Sequence, residues 1–317
     1  MSMRIVDLHC DTMIECWRDP ARKLRDNQGH LSLMKMQKGE ALCQFFAAYI
    51  SRNELKTMEP NAIFQGIYGE YVEEMAENTD LILPAYNYQD IMDNAAQGKM
   101  SGILAIEDGI ALEGKMENLI DAYEKGVRLI TLLWNFENEL GFPCKDDPEE
   151  HMKGLKPFGL EVVEKMNELG MIIDTSHMSE GGFWDIVKHS KTPFVASHSS
   201  ARAICNHRRN LTDEQLKAIG EKGGVAGVNF EETFLNSEGR PLMYDDVVKH
   251  CVHMADKAGV EALSLGSDFD GIEATGEMGD YSNYPVLIDR LNKHFTMDQI
   301  DMITHKNALR VIKDVLK

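Results

Sequence analysis

Short apolar runs alternate with longer amphipathic stretches from one end of the chain to the other, and this alternation limits the fold more than any other feature. Strand candidates fall near residues 4–9, 42–49, 102–107, 127–133, 170–176, 193–198, 223–229 and 262–268. Each is short, apolar and often β-branched, as a strand buried on both faces should be. Helical patterns lie between them at 60–77, 158–169, 179–190 behind the cap candidate Ser179, 212–222 with Thr212 as cap, and 243–258. Gly126, Gly170, Gly223 and Gly259 stand where helix C-caps belong. Residues 297–316 read as one or two further amphipathic helices. Eight strands alternating with helices predict an α/β fold of the (β/α)8, TIM-barrel type with extra C-terminal helices. A doubly wound open sheet is the rival, but no Gly-x-Gly-x-x-Gly follows the first strand, which also disfavours an NAD-dependent enzyme. Such a barrel takes about 250 residues. The 317 residues here leave room for insertions and contain no linker, repeat or low-complexity segment, so residues 1–317 are expected to form one domain.

Charge and composition narrow the function. Fifty-two acidic residues against 33 basic give a net charge of −19, which argues against a nucleic-acid partner. No run approaches 18 apolar residues, so no membrane span is expected. The start, MSMRIVDLHCD, has no apolar signal region, which points to the cytoplasm. Six cysteines without CxxC spacing then read as free thiols, with Cys10 in a packing role.

The chemistry lies where the strands end. The first run ends in His9 and Asp11, two residues apart and so on one face of an extended strand. GILAIEDG ends at Glu107, GMIIDTSH at His177, TPFVASHSSA at His198, and ALSLGSDFDG at Asp268 and Asp270. Taken singly, a His after a strand is more often a satisfied polar residue, and an Asp a turn former or helix cap, as suits Asp270 before Gly271. In a barrel, however, all these positions share the C-terminal rim, where active sites are built. Three histidines and several carboxylates converging there can hold two divalent metals with one carboxylate bridging them. Asp108 and Glu113 compete with Glu107 for that place, and Glu107 is preferred because it directly follows the apolar run. A guanidinium of ARAICNHRRN, some ten residues past His198, could clamp a substrate carboxylate, but spacing alone favours a solvated charge pair.

The stretches DLHCDT, GILAIEDG, MIIDTSHMS, VASHSSARAICNHRRN and LGSDFDG, running in order from residue 7 to residue 271, resemble the renal or membrane dipeptidase family of zinc peptidases, family M19. The resemblance implies a (β/α)8 barrel and hydrolysis of dipeptides, including those with a C-terminal D-residue. It implies two zinc ions, one on His9 and Asp11, the other on His177 and His198, with Glu107 between them. It makes Asp268 the carboxylate that faces the bridging water, and Arg209 the clamp for the substrate's terminal carboxylate. It also implies a small dipeptide substrate and a homodimer. One position departs from the family pattern. The run RLITLLWNFEN places Trp134 where a substrate-binding His can stand at the end of the fourth strand. An indole N–H donates one hydrogen bond but takes up no proton. Two alternatives therefore stay open: a metal-dependent amidohydrolase acting on another small amide or a lactone, and a non-catalytic metal-binding protein.

Overall fold

A computed structural model describes residues 4–273 and 275–317. Among the described residues there are nine strands: β1 (Ile5–Cys10), β2 (Ala41–Tyr49), β3 (Ile82–Pro84), β4 (Met100–Glu107), β5 (Val127–Thr131), β6 (Ile172–Asp174), β7 (Val195–Ala196), β8 (Val225–Val228) and β9 (Leu263–Leu265). All neighbouring pairs are parallel. The first strand pairs with β2, Val6 opposite Cys43, and with β9, Asp7 opposite Leu265. The second strand also runs beside β4, from Cys43 opposite Ser101 to Tyr49 opposite Glu107. Eight strands therefore close into a ring in the order β1-β2-β4-β5-β6-β7-β8-β9, and the open-sheet alternative is excluded.

The ninth strand, β3, has no counterpart among the expected strands. Its three residues include Pro84, which has no N–H to offer a ladder. It pairs with Met100–Gly102 at the start of β4, a stretch left free because β5 joins β4 only from Leu104 onward. Two strands are shorter than their apolar runs suggest. After Asp174 and Ala196 the chain leaves the ladder because the Asp174 carboxylate captures the backbone N–H groups of Ser176 (3.0 Å) and Ser197 (2.8 Å).

The helices begin where local chemistry starts them. Pro60 opens Pro60–Glu77, where its missing N–H leaves nothing unpaired. Ser179 caps Glu180–His189, and a Thr212–Gln215 capping box opens Asp213–Glu221. All four expected C-cap glycines adopt positive φ. The C-terminal stretch is two helices, Met297–Asp301 and Asn307–Val315, joined by a π-helical turn rather than a loop.

Val6, Leu8, Phe45, Ile103, Leu129, Ile172, Val195 and Val225, from seven of the eight barrel strands, meet in one buried cluster, which can only be the barrel's interior. Val311, Ile312 and Val315 of the last helix belong to the same cluster. Ile172, Val195 and Val225 are the first residues of their strands, so this helix seals the N-terminal end and leaves the opposite rim open. Ile312→Ala is expected to cost about 2–5 kcal/mol of stability in denaturant unfolding. A loss under about 0.5 kcal/mol would show that the helix does not plug the barrel.

Candidate active site

The open rim collects the strand-end residues. Glu107, last in β4, is buried at their centre, and its two oxygens face different partners. Oε2 lies 3.6 Å from His9 Nε2, which is also 3.5 Å from Asp11 Oδ2 and 3.7 Å from Asp268 Oδ1. Oε1 lies 3.1 Å from His177 Nε2 and 3.5 Å from His198 Nε2, and these two nitrogens are 3.0 Å apart. Asp11 is not on the strand as its spacing suggests. It stands at the N-cap of Thr12–Arg18 but makes no capping bond, and its carboxylate turns to His9 instead. His177 and Asp268 both sit in the left-handed region, with φ of 66° and 64°. For non-glycine residues that costs about 1 kcal/mol or more and is typical of functional sites. Gly271 is required beside them, since a methyl group there would collide with Asp11 Oδ2 and Asp268 Oδ1.

Proton placement tests whether a metal fits. Ser197 Oγ donates to Asp174 Oδ2 at 2.5 Å, a carboxylate oxygen that also accepts from Thr131 Oγ1 at 2.6 Å. With its one proton so used, Ser197 Oγ can only accept, so His198 Nδ1 (2.7 Å away) carries the hydrogen. Asn135 Oδ1 likewise accepts from His177 Nδ1 at 3.0 Å. Both Nε2 atoms then present lone pairs to each other at 3.0 Å, an arrangement that repels itself unless a cation stands between them. His9 Nε2 and Asp11 Oδ1 are buried with no hydrogen-bond partner among the described residues. Tetrahedral zinc with bonds of about 2.0–2.1 Å sets its donor atoms about 3.3 Å apart, close to the spacings here. The donor set fits divalent metal on both sides of Glu107.

Titration follows the same crowding. Burial pushes Glu107 up to about 8, with Asp11 and Asp268 adding to the rise against the pull of His9. Burial raises Asp268 as well, and Asp11 adds to it. Burial would lower His9, but the Glu107 and Asp11 carboxylates hold it well above the ordinary histidine value. His177 and His198 are pushed well below it, chiefly by burial and further by the Arg209 and His9 charges, so they are neutral and able to ligate.

A cavity of about 350 Å³ opens over this cluster and is lined by Tyr49, Trp134, Asn135, Arg209 and Asp268 among others. Arg209 is buried, holds Ser199 Oγ and His198 O only loosely at 3.4 Å, and leaves Nε unpaired. Its position in the cavity overturns the solvated-charge reading taken from spacing, whereas Arg208 does pair with Asp146 at the surface. Trp134 packs between Tyr49 (5.0 Å between ring centres) and Phe136 (5.7 Å) and forms a wall of the cavity. Asp270 is structural: it accepts from Thr12 Oγ1 (2.7 Å) and His30 N (2.7 Å) and pairs with Arg22 (2.7 Å). Asp108 turns away to Asn138 Nδ2 (2.8 Å), and burial pushes it up to about 6. Glu113 accepts from Asn61 N. All six cysteines are buried and unpaired, and Cys10 lies in the core.

Four supporting residues were not anticipated from the sequence: Asn135, Asp174, Ser197 and Asn229, whose Nδ2 donates to Asp268 Oδ2 at 2.9 Å. Both asparagines do follow strands at the same rim, and that position was the available signal.

The sequence profile of the membrane dipeptidases, peptidase family M19, matches residues 1–317. The chain belongs to this family. It is a metal-dependent hydrolase of the dipeptidase type. An uncharacterised dipeptidase of Schizosaccharomyces pombe is 31% identical over 306 residues, covering 90% of this chain and 72% of that protein. The crystal structure of dipeptidase AC, an M19 metallopeptidase, superposes with a TM-score of 0.91 at 26% identity over 100% of this chain and 99% of the other. A Rhodobacter sphaeroides metallopeptidase, solved with a phosphinate mimic of the dipeptide L-Ala-D-Ala, superposes at 0.92 with 25% identity over 99% of this chain and 100% of the other. Among the described residues no helix is long and apolar enough to cross a membrane.

The Asp174–Ser197 relay yields a prediction. Asp174→Asn and Ser197→Ala are each expected to weaken metal binding by about 10–100-fold, read by competition against a chromogenic chelator. Unchanged affinity in both would remove the relay from the metal site.

Proposed function

We propose that this protein is a binuclear zinc dipeptidase that hydrolyses free dipeptides, including those with a C-terminal D-residue. The observation that carries the reading is Glu107, whose two oxygens each face a separate set of donors beneath one cavity that also holds Arg209. His9 and Asp11 would hold one metal, His177 and His198 the other, and Glu107 would bridge them. The likeness to a metallopeptidase crystallised with a dipeptide mimic ending in D-Ala supports the substrate class. The match along residues 1–317 supports a single catalytic domain.

Bound there, zinc supplies Lewis acidity, which brings a water pKa from ~15.7 toward ~7 and polarises a peptide carbonyl. The protein's residues do the rest. Asp268 Oδ1 faces the cluster while Oδ2 is anchored by Asn229, so Oδ1 is the atom that takes the proton of the attacking water and returns it to the leaving amine. Arg209 grips the terminal carboxylate, which fixes the distance from chain end to scissile bond and selects dipeptides over longer chains. Trp134 contributes a wall and one N–H donor where a histidine would offer a titrating nitrogen.

Two substitutions separate these roles. Asp268→Asn should keep both metals and lower kcat by about 10²–10⁴; full turnover in that variant would take Asp268 out of the mechanism. Arg209→Ala should raise KM for free dipeptides by about tenfold or more, the worth of a charge-assisted clamp. An unaltered KM would mean that the carboxylate binds elsewhere. The class as a whole is tested with zinc-loaded protein on L-Ala-L-Ala, L-Ala-D-Ala, a tripeptide and N-acetyl-Ala-Ala. Hydrolysis of the free dipeptides alone, abolished by chelator, is the expected result. Turnover of the tripeptide or the acetylated control at a similar rate would contradict it.

A further inference from the structure

We propose that Glu231 is a specificity-determining residue that favours dipeptides whose C-terminal residue carries a cationic side chain, an inference that rests on the dipeptidase reading of the same cavity. Six carboxylates line that cavity: Asp11, Glu15, Glu107, Glu231, Asp268 and Asp270. Asp11, Glu107 and Asp268 belong to the cluster around His9. Glu15 is neutralised by Arg18 at 2.7 Å and Arg22 at 3.4 Å. Asp270 is neutralised by Arg22 at 2.7 Å. Glu231 is the remaining one, and among the described residues it makes no ion pair.

Its carboxylate is nevertheless held in place. Oε1 accepts from Thr233 Oγ1 at 2.7 Å and from Thr233 N at 3.3 Å, while Oε2 has no protein donor among the described residues. The backbone is fixed too, since Glu231 N donates to Asn229 Oδ1 at 2.6 Å, the same Asn229 whose amide nitrogen anchors Asp268. An oriented, half-buried carboxylate without a counter-charge in a substrate cavity is a ready partner for an incoming cation.

Position decides which end of the substrate it meets. Glu231 starts the turn that carries Phe234, and the Arg209 guanidinium lies 5.5 Å from the centre of the Phe234 ring. Asp268 delivers the proton to the leaving nitrogen, and Arg209 holds the terminal carboxylate. Both groups belong to the C-terminal residue of the dipeptide. The side chain of that residue springs from the carbon between them, and with Phe234 beside the Arg209 guanidinium it would extend toward the Phe234–Glu231 turn of the same cavity. The aliphatic stem of a lysine, ornithine or arginine would cover the Phe234 ring while its charged head reaches Glu231.

The test compares kcat/KM of the zinc-loaded enzyme for Ala-Lys, Ala-Ala, Ala-Glu and Lys-Ala, with both L- and D-residues at the C-terminus. Ala-Lys is expected to exceed Ala-Ala by about 3–10-fold, Ala-Glu to fall below it, and Lys-Ala to gain nothing. In E231Q the ratio of Ala-Lys to Ala-Ala should collapse to about one, and E231K should invert the order in favour of Ala-Glu. Hydrolysis of Ala-Ala with no preference for Ala-Lys, or a preference that survives E231Q, would overturn this inference alone. If no dipeptide is hydrolysed, the dipeptidase reading falls and the inference with it.

Discussion

The site depends on one crowded contact: a buried carboxylate, Glu107, surrounded by three imidazole nitrogens within 3.1–3.6 Å. Burying an ionised group without compensation costs several kcal/mol. Here the compensation is incomplete among side chains alone, since two of the three imidazoles present lone pairs rather than protons to it. Much of the surrounding architecture serves to hold this arrangement. The β2–β4–β5 register brings Glu107 to the rim beside Tyr49 and Thr131. The Asp174 network breaks two strands early so that Ser197 can direct His198. Positive φ at His177 and Asp268 turns both side chains toward the centre.

The supporting residues are graded in strength. His198 is held through a hydroxyl by a buried carboxylate, His177 by a neutral amide, and His9 Nδ1 by no partner among the described residues. A ligand backed by a carboxylate is the more basic and the better oriented. The Glu107–His177–His198 side is therefore the better supported of the two by side-chain hydrogen bonds. Asp7 supports the His9–Asp11 side through the backbone, accepting from Ser267 N (2.9 Å) as well as from Tyr284 Oη (2.8 Å) and tying the end of β9 to β1, and Asp11 N donates to Phe269 O at 2.9 Å.

Most of this was legible in the chain. Strand and helix periods predict the barrel because a parallel strand buried on both faces must be an apolar run, and ligand-type residues stand out at the end of such a run. The strand β3 was not legible, because three residues containing a proline carry no period. Asp11 was legible as a ligand-type residue at the strand end but not as a helix N-cap that makes no capping bond. Asn135 and Asn229 were hidden for a chemical reason: neither ligates, and an amide after a strand looks like an ordinary turn former. Arg209 could not be told from Arg208 by spacing, and only the fold buries one and exposes the other. The unpaired state of Glu231 has the same origin, because the partners of Glu15 and Asp270 arrive from distant segments.

The bridging role proposed for Glu107 requires two metals, one on each of its oxygens. Anomalous diffraction from zinc-loaded crystals, collected on both sides of the zinc edge, tests it most directly. Two peaks per chain are expected, one beside His9 and Asp11 and one beside His177 and His198, each about 2.0–2.2 Å from a different oxygen of Glu107. A single peak, or a second peak away from Glu107, would contradict it.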